Sequence, residues 1–158
     1  MHYDGQVYRP PTEGNTALLQ VTTGCSYNKC TFCTMYNQTP FRVSPEDEVI
    51  ADLKESVETG LDRIFLLNGD VFVLSTDRLL RLSELIRLYL EDMKTILCYA
   101  SMRDIKRKSL EELIKLKEAG FSDLHIGIET GYKPAFEMMN KGVTYEEQLD
   151  TVKKRFAL

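Results

Sequence analysis

The sequence predicts an α/β domain built on parallel strands, and three observations carry that reading. Short apolar stretches alternate with amphipathic helical stretches four times along the chain, and such alternation implies parallel strands joined by right-handed crossovers. A group of polar, charged or cysteine residues comes directly after each apolar stretch. The length, 158 residues, suits one domain with a substantial core. Two architectures fit: an open doubly wound sheet, or part of a (β/α) barrel. In both, ligands sit at the carboxyl ends of the strands.

The elements are read in chain order. Residues 1–15 carry Pro10-Pro11 and Gly14-Asn15 and read as an extended lead-in to a core over 16–158. Ala17 to Thr22 is the first strand, short and partly β-branched. Ser44-Pro45-Glu46-Asp47 starts a helix, with Ser44 as cap and Pro45 in the first position. Val49, Ile50, Leu53 and Val57 recur at helical spacing until Gly60. Arg63 to Leu67 is the second strand. Ser75 or Thr76 caps a helix running to about Glu91, whose leucine stripe is core because it lacks sustained heptads. Thr95 to Ala100 is the third strand, and Arg103, Lys106, Arg107 and Lys108 after it fit a solvated basic turn. Ser109 with Glu112 forms a capping box ahead of a helix closed by Gly120. Leu124 to Ile128 is the fourth strand. Pro134 to Asn140 is a short helix, and Thr144 with Glu147 caps a last one carrying Leu149, Val152 and Phe156.

Composition excludes several classes. Hydrophobic residues make up 43% and charged residues 28%, ordinary for a globular protein. The net charge of −4, with both signs mixed, gives no bulk footprint for nucleic acid or an anionic membrane. No apolar run approaches the roughly 20 residues of a membrane span, and the first residues lack a secretory pattern. The expected location is the cytoplasm, where clustered cysteines serve as metal ligands or redox groups more often than as disulfides.

The strand-end rule collects four groups on one face: the cysteine loop, Asn68-Gly69-Asp70, Ser101-Met102-Arg103 and Glu129-Thr130-Gly131. Parity predicts their company. Leu124, Ile126 and Ile128 point one way and His125, Gly127 and Glu129 the other. Ile96, Cys98 and Ala100 oppose Tyr99, Ser101 and Arg103. The expectation is an apolar backing under helices and a polar lining on the inner side.

Cys25, Cys30 and Cys33 carry the chemistry. Their C-x4-C-x2-C spacing is too regular for scattered core thiols. Three thiolates can hold three irons of a [4Fe–4S] cluster and leave the fourth iron open; an open position marks a catalytic rather than a structural metal site. Structural zinc is the rival, with Cys98 or His125 as the nearest fourth ligand. An electron carrier is a third reading, although carriers normally close all four positions.

The run from Thr23 to Tyr36, Thr-Gly-Cys-Ser-Tyr-Asn-Lys-Cys-Thr-Phe-Cys-Thr-Met-Tyr, resembles the cluster loop of the radical S-adenosylmethionine enzymes. Gly127-Ile128-Glu129-Thr130-Gly131, with Asn140-Lys141-Gly142 beyond it, is similar to a stretch of one broad branch. That branch holds the methylthiotransferases, the elongator-like proteins and the oxygen-independent coproporphyrinogen oxidases. The resemblance implies a partial (β/α) barrel (TIM-like) of about four βα units. It implies a [4Fe–4S] cluster on Cys25, Cys30 and Cys33, and S-adenosyl-L-methionine on the open iron. It implies reductive cleavage to a 5′-deoxyadenosyl radical, driven by a donor such as flavodoxin or ferredoxin. Phe32 would meet the adenine, and Asn68-Gly69-Asp70 the methionine amino group. Ser101, Arg103 and Glu129 would lie near the ribose or the carboxylate, which a guanidinium can bind through two bonds. The sequence departs from the commoner C-x3-C spacing and from a G-G-E-like turn. Relatives usually have six βα units, so the expectation is a chain short of two strands, completed by a second copy, by another polypeptide or in a longer gene product.

Overall fold

The computed structural model describes residues 1–57 and 60–155. Four parallel strands form the main sheet in the order β1 (Ala17–Gln20), β4 (Arg63–Leu67), β5 (Thr95–Ala100) and β6 (Phe121–Ile126). Sequence order equals spatial order, as successive crossovers of one hand produce. Ala17 pairs with Ile64, Arg63 with Thr95 and Tyr99 with His125. The strand ends therefore stand side by side, and β1 and β6 are the edges.

The second and third strands take the predicted bounds, because short apolar β-branched runs between polar turns leave little choice. The first strand is shorter than expected. It stops at Gln20, and Thr22–Thr23 (β2) leaves the sheet to pair antiparallel with Arg42–Val43 (β3). The cysteine loop thus springs from a two-stranded base that closes its two ends. The fourth strand is displaced toward the N-terminus: it starts at Phe121 and ends at Ile126, so Glu129 lies beyond it.

Helices α1 (Glu46–Ser56), α2 (Thr76–Tyr89), α3 (Met102–Arg107) and α4 (Leu110–Glu118) come after their strands, with α5 (Lys133–Met139) and α6 (Tyr145–Arg155) last. Pro45, not Ser44, occupies the cap of α1, and the Ser44 amide instead donates to the Val21 carbonyl. Val57 is 54% exposed and takes no part in the core. Ser75 caps α2, and both capping boxes form, at Ser109 with Glu112 and at Thr144 with Glu147. Phe156 lies outside the described residues. Helix α3 replaces the expected basic turn. Ser101 caps it through the Asp104 amide, Arg103 is largely enclosed, and Lys108 is buried with its ammonium on the Leu74 carbonyl at 2.7 Å.

The alternation of faces holds within the strands. Ala17, Leu19, Ile64, Leu66, Ile96, Cys98 and Ala100 pack under the helices with Leu53, Leu79, Ile86 and Ile105. Leu124 and Ile126 join that core, but Ile128, past the strand, is exposed. Cys98 is wholly enclosed, and burial alone pushes its thiol far up the scale. It is an inert core thiol. The inner face differs from the expected polar lining. Phe65, Leu67 and Leu97 are completely buried there, and the partly buried Leu18, Tyr99 and Val7 pack against them. A parallel sheet needs cover on both sides, and the first residues supply it. The Asp4 amide reaches Gln20 and the Tyr8 amide reaches Asn68. Glu13 is buried between Arg63 (3.4 Å) and His125 (3.4 Å). His125, ringed by Phe65 and Tyr99, therefore ties the first segment to the sheet.

Candidate metal and cofactor site

The cysteine loop leaves β2 at the carboxyl edge of the sheet and returns at β3. Cys25, Cys30 and Cys33 are free and half-buried on it. The Cys33 amide donates to the Cys30 carbonyl at 3.3 Å, so the last two thiols share one tight turn. Asn28 takes φ 45°, and its amide group donates to the Tyr36 carbonyl at 2.7 Å, gathering the loop across its width.

Two other strand ends hold the loop from inside. Asp70 comes after β4 and is 1% exposed. Its carboxylate accepts the Ser26 amide at 2.7 Å and faces the Cys25 thiol at 3.9 Å. Arg103, in the first turn of α3, donates to the Ser26 hydroxyl at 2.7 Å and pairs with Asp70 (3.4 Å) and Asp104 (3.3 Å). Its guanidinium also lies over the Tyr27 ring, 4.8 Å from the centroid. Burial, then the neighbouring Asp104, holds the Asp70 carboxyl above the usual carboxylate range. The Asn-Gly-Asp turn has a steric reason: a Cβ on Gly69 would come within 2.4 Å of the Tyr36 ring, which lies against it.

Helix α5 holds the loop from outside. The Thr31 amide donates to the Met139 carbonyl (3.1 Å) and its hydroxyl to the Met138 carbonyl (2.6 Å). The loop thereby satisfies carbonyls that a helix end leaves unpaired. Asn140 caps α5 in the left-handed region and donates to the Lys29 carbonyl at 2.9 Å. Gly142, at φ 77°, sits against Tyr27, where a Cβ would come within 2.7 Å of the ring. Lys141 donates to Glu129 (2.8 Å) and to the Gly127 carbonyl (2.6 Å), and lies 5.7 Å from the centre of the Phe32 ring.

The predicted site residues separate accordingly. Asp70 and Arg103 stand against the Cys25 end of the loop. Glu129, at φ 66° in a turn, reaches the Cys30 end through Lys141. Phe32 is 48% exposed between two cysteines. Asn68 is turned away, between the Tyr8 amide and the Thr22 carbonyl. The Ser101 hydroxyl is engaged with Asp104. Ser26, Tyr27, Asp104 and Lys141 join the site without having been candidates on sequence grounds. Two motifs in the sequence point to part of this set: the Thr23–Tyr36 run, which contains Ser26 and Tyr27, and Asn140-Lys141-Gly142.

The donor set fits a cluster. Burial raises the Cys25 and Cys30 thiols, and two cations counter it: Lys141 chiefly at Cys30, Arg103 more weakly at both. Among the described residues, no three His, Cys, Asp or Glu side chains gather as ligands of a single ion would. Thiols that each take a different iron of one cluster stand farther apart than the ligands of a single ion.

The family model described as "Radical SAM superfamily" matches residues 19–156. A tRNA-2-methylthio-N(6)-dimethylallyladenosine synthase of Fusobacterium nucleatum is 27% identical over 152 residues, covering 88% of this chain and 33% of the relative. The protein of that name from Chloroherpeton thalassium is 24% identical over 144 residues, covering 88% and 32%. The chain thus spans about a third of the length of the curated relatives it matches. In fold it is similar to the cobalamin-dependent S-adenosylmethionine radical enzyme OxsB, solved with aqua-cobalamin and S-adenosylmethionine bound. The TM-score is 0.68 at 20% identity, over 87% of this chain and 21% of the other.

Proposed function

The chain belongs to the radical SAM superfamily, whose enzymes use a [4Fe–4S] cluster and S-adenosylmethionine, and from that premise we propose that Cys25, Cys30 and Cys33 hold such a cluster and that S-adenosylmethionine binds at its open iron. The observation that carries this reading is the loop itself: three free thiols on one segment, braced from two sides and flanked by two cations. Once bound, the pair would supply a one-electron cleavage of the sulfonium, and the resulting 5′-deoxyadenosyl radical would take a hydrogen atom from a substrate.

The chain's own residues orient and exclude. Asp70 and Arg103 fix Ser26, and with it the Cys25 end of the loop. Phe32 offers an exposed ring where an adenine can stack. Glu129, 34% exposed and paired with Lys141, would accept bonds from ribose hydroxyls or an amino group. Arg103 suits a carboxylate by chemistry, although its Nε and Nη2 are already engaged by Ser26, Asp70 and Asp104. The buried inner face keeps water from the floor beneath the site.

The relatives' names support a transferase acting on an adenosine of tRNA as the activity of a longer protein containing this domain. An external donor of flavodoxin or ferredoxin type would bring the electron. Among the described residues no strand pairs with the outer edge of β6, and that edge suits pairing with a further strand, from a second copy or from additional polypeptide; sedimentation of the reconstituted protein tests this. The function itself is tested by anaerobic reconstitution. About four irons per chain are expected, with an EPR signal of the reduced cluster that changes on adding S-adenosylmethionine, and 5′-deoxyadenosine after dithionite. Stoichiometric zinc without iron would overturn the reading. A cluster with no 5′-deoxyadenosine would leave a cluster-binding module without turnover.

A further inference from the structure

Lys141, one of the two cations at the cysteine loop, is the one charge of the α5–α6 connection, residues 140–144. Its side chain is 12% exposed, although Asn140 and Gly142 on either side are exposed. The backbone explains this. Asn140 at φ 49° and Gly142 at φ 77° make two left-handed turns around Lys141, which send the side chain back over the cysteine loop. There the ammonium is fixed by the Gly127 carbonyl at 2.6 Å and Glu129 at 2.8 Å, and it faces the ring of Phe32, between Cys30 and Cys33. A charge held this far from water acts on its neighbours through a lower effective dielectric than a surface lysine does.

We propose that Lys141 is a charge-setting, positioning residue for the metal centre: its fixed positive charge favours the reduced cluster, and Glu129 is its counter-charge. The inference rests on the reading that Cys25, Cys30 and Cys33 hold a cluster. Reduction adds one negative charge to a group already surrounded by thiolates, so a neighbouring cation stabilises the reduced form more than the oxidised form. The two cations at the loop are not equivalent. Arg103 is shared between two buried carboxylates, Asp70 and Asp104, whereas Lys141 has one partly exposed carboxylate partner, Glu129. The field of Lys141 is therefore the less cancelled.

The test is a redox titration of the reconstituted wild type, K141M, K141R and E129Q, monitored by visible absorption and EPR without S-adenosylmethionine. K141M is expected to shift the midpoint to more negative potential. A tenfold less favourable reduction corresponds to about 59 mV for a one-electron couple. E129Q is expected to shift it to more positive potential, and K141R to stay near wild type. A K141M cluster with the wild-type midpoint would overturn the proposal and leave Lys141 a structural residue, whatever the change in iron content. Should K141M take up no cluster, E129Q decides: a midpoint that is unchanged or more negative overturns the proposal. A wild type that takes up no iron fails the cluster reading itself, a result distinct from either.

Discussion

On its inner side the cysteine loop meets buried charge, and on its outer side it meets exposed backbone. The inner brace is Asp70, 1% exposed, joined to the Ser26 amide and to Arg103. The outer brace is the end of α5, whose carbonyls take the Thr31 amide and hydroxyl while Asn140 reaches Lys29. A buried ion pair gives little net stability when intact but is costly to break, because the surviving charge stays enclosed. Backbone hydrogen bonds near solvent are weaker individually and are lost individually. The inner brace should therefore behave as a unit and the outer brace as a sum of parts.

The largest effect is expected where the unit is broken. Asp70→Ala strips Arg103 of one carboxylate and leaves the Ser26 amide unpaired, a loss of about 3 kcal/mol in urea unfolding of the cluster-free protein. Asp70→Asn keeps an acceptor for Ser26 and should lose distinctly less. Equal losses from the two variants would show that the charge, and not the amide bond, carries the brace. On the outer side, Gly142→Ala places a Cβ against the Tyr27 ring at a positive φ, and about 1–2 kcal/mol is expected. Its mark is local. Hydrogen exchange at residues 27–33 should quicken while the core strands keep their protection.

The two braces are also unequally legible in the sequence. Asp70 and Arg103 emerge from the rule that the residues directly after each strand of a parallel sheet share one face, which needs only strand order. The rule places Arg103 correctly for an incomplete reason. Strand parity does not extend past Ala100, because helix α3 begins there, capped by Ser101 through Asp104, and its basic residues form a helix rather than a turn. The outer brace is not readable in this way. That α5 returns to the loop is a tertiary fact, made by Thr31 with Met138 and Met139, residues more than a hundred positions apart. Of it the sequence shows only Asn140, Lys141 and Gly142 as a motif. The inner face escapes local reading for a similar reason. Phe65, Leu67 and Leu97 are apolar on the side expected to be polar, but nothing near them in the chain announces that Val7 and Tyr8 fold back over that face.

A smaller change separates the parts of the outer brace. Thr31→Val keeps the amide bond to Met139 and removes the hydroxyl bond to Met138, a loss of about 1 kcal/mol. Combined with Gly142→Ala the losses should nearly add, whereas Asp70→Ala with Arg103→Met should cost well under the sum of the singles. Double-mutant cycles in urea read both couplings. Additive inner variants, or strongly coupled outer ones, would reverse the contrast between the two braces.

Tyr27 belongs to both braces, and its truncation yields the smallest and most discriminating effect. Its ring lies under the Arg103 guanidinium at 4.8 Å and against Gly142, while its hydroxyl donates to Asn140 at 3.2 Å. Tyr27→Phe removes only the exposed hydroxyl bond, so about 0.5 kcal/mol is expected. Tyr27→Leu also removes the face on which the cation rests, and the further loss should be about 0.5–1 kcal/mol. The decisive point is where the second loss appears. If Tyr27 transmits the inner brace to the outer one, Tyr27→Leu weakens exchange protection at Thr31 as well as at Ser26, and Tyr27→Phe weakens it at Thr31 alone. Protection that changes equally at both sites in both variants would mean that the loop moves as one rigid body and that the two braces are a single device.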